Sequence, residues 1–163
     1  MEEFKNIKNN IEAVMATDGS AIPNPGRGAV GIVIMSTTGI ILHQKYAKLP
    51  GNRVTNNVAE TTAFLMGLEL ALEKGITYLS CFSDSMLLKN HLGGDWPVNT
   101  DALKELHKKI NIVKVGFKHL ELMHHRRDTP AGIIADAISR GSKFKEGVSI
   151  WKQLPEQKRM SSR

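Results

Sequence analysis

The sequence predicts one mixed α/β domain, and three observations carry the prediction. Three short β-branched runs follow one another between Ala13 and Tyr46, separated only by turn residues. The next segment, "NNVAETTAFLMGLELALEKG", places apolar residues at helical spacing. Behind it comes "ITYLSCFS", a continuous apolar run of strand length, the pattern of a strand covered on both faces.

Each element can be justified in turn. Ala13–Thr17 forms the first strand and is expected to stop at Asp18-Gly19, opening a hairpin turn rich in Gly and Pro. Ala29–Met35 and Ile40–Tyr46 are the next two strands, joined by the turn signal "STTG". Their short connections suggest an antiparallel meander. The first helix takes Asn56 or Asn57 as N-cap and Gly75 as its stop, with Val58, Ala59, Ala63, Leu65, Met66 and Leu68 on its apolar stripe. After the central strand Asp84 caps a short helix, Ser85 to about Leu92, and "GGDWP" breaks the chain. Thr100 or Asp101 opens "DALKELHKKI", and "FKHLELMHH" alternates as a strand. "DTPAGIIADAISR" has Thr129 as N-cap, Pro130 at the first helical position and Gly141 at the end. The order βββ-α-β-α-α-β-α gives an extension over 1–12, one domain over 13–142 and a basic tail over 143–163.

Composition sets the outer bounds. A chain of 163 residues, 41% hydrophobic and 23% charged, reads as an ordinary soluble globular protein with a sizeable core. No apolar run approaches the roughly 18 residues of a membrane span. "MEEFKNIKNN" lacks the apolar stretch of a signal peptide. Cys81 stands alone, so the expectation is a reducing compartment, the cytoplasm. The net charge of +6 favours a polyanionic partner.

Four acidic residues occupy unusual places. Asp18 ends the first strand, Glu60 lies in the first turn of an apolar helix, Asp84 ends the central strand, and Asp136 sits inside "GIIADAIS". Strand ends and helix starts converge at one edge of an α/β sheet. Carboxylates brought together repel one another unless their pKa values rise or cations bind. Oxygen ligands favour Mg²⁺ or Mn²⁺ over zinc, and two such ions about 4 Å apart suit phosphodiester hydrolysis. Taken singly, Asp18 reads equally as a turn residue, Asp84 as an N-cap, Glu60 as a partner of the helix dipole and Asp136 as a member of a salt bridge.

"TDGSAIPNPGRGAVGIV", "RVTNNVAETTAFLMGLELAL", "SDSM" and "ADAIS" together resemble the signature segments of type 1 ribonuclease H, from about Met15 to Arg140. The resemblance implies that family's fold, a five-stranded mixed sheet with the first three strands antiparallel, flanked by helices. It also implies an endonuclease that hydrolyses the RNA strand of RNA–DNA hybrids with two Mg²⁺ ions (or Mn²⁺ in their place), leaving 5′-phosphate and 3′-hydroxyl ends. Its metal-binding carboxylates would fall on Asp18, Glu60, Asp84 and Asp136. Asn24 and Asn57, with Asn56 beside them, would take minor-groove contacts, with Gly19 and Ser20 backbone nearby. Arg53, Thr55 and Asn99 match a pocket that grips a phosphate of the DNA strand.

The match has departures. Where many relatives carry a loop histidine ten residues before the last carboxylate, this chain has Arg126, assigned here as a substrate contact. His124 and His125 precede it and are the candidates to replace that histidine. Gly132 stands where relatives often carry Asn, and the basic, Trp-rich protrusion of some relatives is missing, leaving Trp96 alone. The expected partner is an RNA–DNA hybrid, bound by a monomer without a membrane. The competing readings are a non-catalytic hybrid-binding domain of a polymerase assembly, and a related-fold nuclease acting on double-stranded RNA.

Overall fold

Ala13, Val14, Met15 and Ala16 run without a polar break up to Thr17, and there the chain forms a strand buried on both faces. The computed structural model describes residues 12–37, 40–83 and 100–124. Strand β1, Glu12–Ile22, pairs antiparallel with β2, Arg27–Ser36, and β2 pairs antiparallel with β3, Ile41–Lys48. On its other side β1 pairs in parallel with β4, Tyr78–Ser83, which pairs in parallel with β5, His119–His124. The order β3-β2-β1-β4-β5 is the expected five-stranded mixed sheet with its first three strands antiparallel.

One expectation for β1 fails in an instructive way. The strand does not stop at Asp18-Gly19. It continues to Ile22 because Asp18, Gly19 and Ser20 find ladder partners in Gly31, Val30 and Ala29 of β2. An Asp-Gly pair is a turn signal only where no partner strand competes for its backbone. The turn comes later, at Pro23–Pro25, where proline can no longer donate to a ladder. Gly26 then pairs with Val54 through N–H···O bonds of 2.9 and 2.8 Å, tying the turn to the segment before the first helix.

Helix α1, Asn56–Glu73, is capped by Thr55 rather than by either asparagine. Val54 is held extended by Gly26, and Thr55 remains extended at φ −90°, ψ 158°, so its Oγ1 can accept from the Val58 N–H at 3.2 Å. Gly75, at φ +75°, ends the helix as expected. Of the two starts proposed for the next helix, Thr100 is the N-cap of α2, Asp101–Val113, and a single 3₁₀ turn over Lys114–Gly116 leads into β5.

Alternation along β1 sends Ala13 and Met15 to one face, where they pack with Ile32, Ile34, Leu79 and Cys81 beneath Phe64, Leu65 and Leu68 of α1 and Ile110 of α2. Val14 and Ala16 face the other way, into a cluster with Val33, Met35 and Phe82 that Tyr46 borders. Burial pushes the Cys81 thiol far above its ordinary pKa, so this cysteine serves packing rather than reactivity. Helix α1 lies close on β1 at two glycines. A Cβ on Gly67 would come within 2.6 Å of Met15 Sδ. A Cβ on Gly19 would overlap the Ala59 carbonyl and stand 2.5 Å from the Glu60 nitrogen. The helices expected at Ser85–Leu92 and after Thr129, the extension and the tail lie outside the described residues. Among the described residues no helix is long and apolar enough to cross a membrane.

Two expectations follow for stability. Leu68→Ala, at a fully buried site, should lose about 2–5 kcal/mol in urea unfolding, while Ile112→Ser, at a position 75% exposed, should stay within about 0.5 kcal/mol. Gly19→Ala should lower Tm more than Gly67→Ala, because helix backbone cannot yield as the Met15 thioether can. The reverse order would mean that α1 is not anchored at Gly19.

Candidate functional site

The site grows from the crossing of β1 and α1. Asp18 lies within β1 opposite Gly31, and its residue is only 9% exposed. The parallel pairing of β1 with β4 ends at Ala16↔Phe82, so β1 leaves its neighbour just before Asp18. Asp84 follows Ser83, the last residue of β4, and is likewise two positions beyond that final pair. Without a Cβ, Gly19 lets α1 rest its Ala59–Glu60 backbone directly on β1. The Glu60 backbone thereby comes to rest beside Gly19, the residue after Asp18, and Glu60 is half-buried.

With Thr55 as N-cap, Glu60 is the fifth residue of α1 and lies beyond the first turn, which holds no acidic residue. That corrects its expected placement in the first turn. A dipole interaction fades within one turn, so it explains Glu60 poorly. Asp18 is likewise no turn residue. Both bland readings weaken for the same reason, that the elements begin and end elsewhere than their sequence signals suggest.

The two carboxylates offer hard oxygen donors, which suit Mg²⁺ or Mn²⁺. Among the described residues no group of three ligating side chains forms, and Asp84 and Asp136, which would complete the expected set, lie outside them. The carboxylates present therefore fit a hard divalent cation as part of a larger set.

Beside the carboxylates the hairpin is tied to the start of α1. The Ala21 N–H donates to Asn56 Oδ1 at 2.8 Å, and the Asn56 N–H donates to Asn24 Oδ1 at 3.1 Å. Because both donors are backbone N–H groups, both amide oxygens are committed inward, leaving the Nδ2 groups of Asn24 and Asn56 as the remaining donors. Asn24 and Asn57 are exposed, and Asn56 is half-buried. Sequence reading placed these asparagines together but missed the clamp, since a contact between residues 35 apart has no local signal. Arg53 and Thr55, both exposed, flank Val54 in the extended segment before α1, and alternation gives them a common side.

Ser20 is half-buried and shares the Asp18 face of β1. It borders a cleft of about 800 Å³ lined also by Arg27, Tyr46 and Lys48, residues that the sequence reading passed over. Nothing in the sequence sets them apart from ordinary surface residues. Asn99, His125 and Arg126 lie outside the described residues. Of His124 only the backbone is described, paired with Ser83 at the end of β5.

Comparison with known proteins agrees with this architecture. A family model described as reverse transcriptase-like matches residues 16–137. The ribonuclease HI of Halobacterium salinarum is 32% identical over 112 residues, which is 69% of this chain and 55% of that protein. The crystal structure of RNase H1 from that organism superposes with a TM-score of 0.74 at 29% identity, covering 80% of this chain and 96% of that one. The LC11 RNase H1, isolated from compost and solved in complex with an RNA/DNA hybrid, gives a TM-score of 0.72 at 29% identity, covering 82% and 98%. A bifunctional protein of Mycobacterium tuberculosis is 28% identical over 130 residues. This chain spans about half of the halobacterial relative and 35% of the mycobacterial one. With the strand order, the β1–α1 crossing and a family match over most of its length, the chain belongs to the reverse transcriptase-like family, as a domain of the ribonuclease H type.

Proposed function

We propose that this domain is an endonuclease that hydrolyses the RNA strand of RNA–DNA hybrids, leaving 5′-phosphate and 3′-hydroxyl ends. The observation that carries the reading is the buried Asp18 next to Gly19, on which the Ala59–Glu60 backbone of α1 is seated. The named ribonuclease HI and RNase H1 relatives support it, one of them solved with a hybrid.

In this reading Asp18 and Glu60, completed by Asp84 and Asp136, hold two Mg²⁺ ions. Such ions, when bound, activate a water and offset charge on the leaving oxygen. The chain's own residues do the rest. Asp18 is fixed by its ladder and shielded from water, so its oxygens need little reorganisation. The Asn24–Asn56 clamp directs amide donors outward, toward 2′-hydroxyls and minor-groove acceptors. Asn57, exposed one position on, adds a third amide. Arg53 and Thr55, at the N-terminus of α1, suit a phosphate of the DNA strand, where guanidinium, hydroxyl and helix dipole act together. His124 or His125 would assist product release, and Asn99 and Arg126 would add substrate contacts. A monomeric, cytoplasmic enzyme fits this reading.

The test is cleavage of labelled duplexes by the purified chain, with products sized. Hybrid should be cut in Mg²⁺ or Mn²⁺, chelation should abolish cutting, and double-stranded RNA and DNA should survive. Asp18→Asn should reduce kcat at least about a hundredfold while Tm is kept. Asn56→Ala should cost about 1–3 kcal/mol of stability through the unsatisfied Ala21 N–H, and should raise KM as well. A wild-type chain that binds hybrid in Mg²⁺ without cutting it would overturn the enzyme reading in favour of a binding module.

A further inference from the structure

The cleft beside Ser20 has a composition that the carboxylate centre does not explain. Across the sheet, Asp18 pairs with Gly31, and Gly31 pairs with Tyr46. The next row on the same face runs Ser20, Ala29, Lys48, and the row beyond it begins Ile22, Arg27. Glycine and alanine in the middle strand leave the floor low. The taller side chains of Ser20, Ile22, Arg27, Tyr46 and Lys48 stand around it, enclosing about 800 Å³. With strands about 4.8 Å apart, Tyr46 lies only about 10 Å from Asp18 across that floor. Arg27 and Lys48 are exposed, and among the described residues no carboxylate pairs with either. Two unneutralised cations and a phenol around a shallow trough form an anion-binding arrangement, continuous with the face that carries Asp18.

We propose that this cleft is a second anchor for the nucleic-acid backbone, in which Arg27 and Lys48 hold a phosphate flanking the cut. The proposal rests on the hybrid-cleaving reading for its ligand, and it is distinct from the grip at Arg53 and Thr55, which stands at the start of α1. Arg27 and Lys48 set two of the chain's 22 basic side chains on the face that carries Asp18. Tyr46, packed at the border of the Val33–Met35 cluster, gives the trough a fixed wall.

The experiment uses the full chain carrying Asp18→Asn, so that hybrid is bound and not cut, and reads fluorescence anisotropy across a salt series. Adding Arg27→Ala with Lys48→Ala should weaken binding about tenfold or more. It should also lower the slope of log K against log salt by about 0.9, the share of one phosphate. Lys104→Ala with Lys109→Ala, exposed on α2, removes the same charge and should change the slope by less than half as much. Single methylphosphonates placed along the RNA or the DNA strand identify the strand held. At the contacted position the penalty of the Arg27/Lys48 pair should vanish. Equal effects from the two lysine-containing pairs, or a penalty that no methylphosphonate removes, would overturn the cleft. In the otherwise wild-type chain the loss should fall on KM rather than kcat. Normal cutting with an unaltered salt slope would sink the cleft and leave the enzyme reading intact, whereas binding through the cleft without cutting by the wild-type chain would do the opposite.

Discussion

The contact between Gly19 and the Ala59–Glu60 backbone is the constraint on which the rest of the site depends. A helix normally stands about 10 Å from the sheet it covers, with side chains filling the gap. Here the start of α1 is drawn onto β1 at Gly19, the residue after Asp18, so that the Ala59–Glu60 backbone rests on the strand itself. Any side chain at residue 19 would lift the start of α1, moving Glu60 away from Asp18 and pulling Asn56 off the Ala21 N–H. The same approach thus sets the acidic centre and the amide donors beside it. Farther along, Gly67 over Met15 keeps the helix from tilting up at its middle.

The fold was largely legible from pattern. The wide apolar stripe of α1 and the unbroken run of β4 are strong signals, and both elements stand where the pattern put them. What misled was punctuation. Asp18-Gly19 reads locally as a stop, yet the ladder with Val30 and Ala29 outweighs it, a pairing that no window of neighbouring residues reveals. The N-cap went to Thr55 because Val54 is tied to Gly26, again a distant partner. Sequence alone ranks Asn above Thr as a cap, so tertiary contact makes the choice.

The candidate site was legible in its residue types and not in its geometry. Asp18 and Glu60 stood out as acids in apolar surroundings, and the structure buries the first and half-buries the second, with the Glu60 backbone seated beside Gly19. Asn24 and Asn57 stood out by resemblance, with Asn56 beside them, but the contact between residues 24 and 56 joins the hairpin to the start of α1 through the side chains of Asn24 and Asn56. Their oxygens are spent on the fold and their nitrogens remain for a ligand. The cleft at Arg27, Tyr46 and Lys48 was invisible because its residues are ordinary surface types on two strands. Only the register, with Gly31 and Ala29 between them, makes a trough of them.

The central claim is that the β1–α1 crossing is built to hold a hard divalent cation between Asp18 and Glu60. The most direct measurement is paramagnetic broadening of backbone amide NMR signals during a Mn²⁺ titration of the intact chain. The account predicts early, selective loss of the Asp18, Gly19 and Glu60 signals, with residues 108–112 of α2 unaffected, and recovery of those signals in Asp18→Asn. Uniform broadening, or selective broadening away from this crossing, would contradict it.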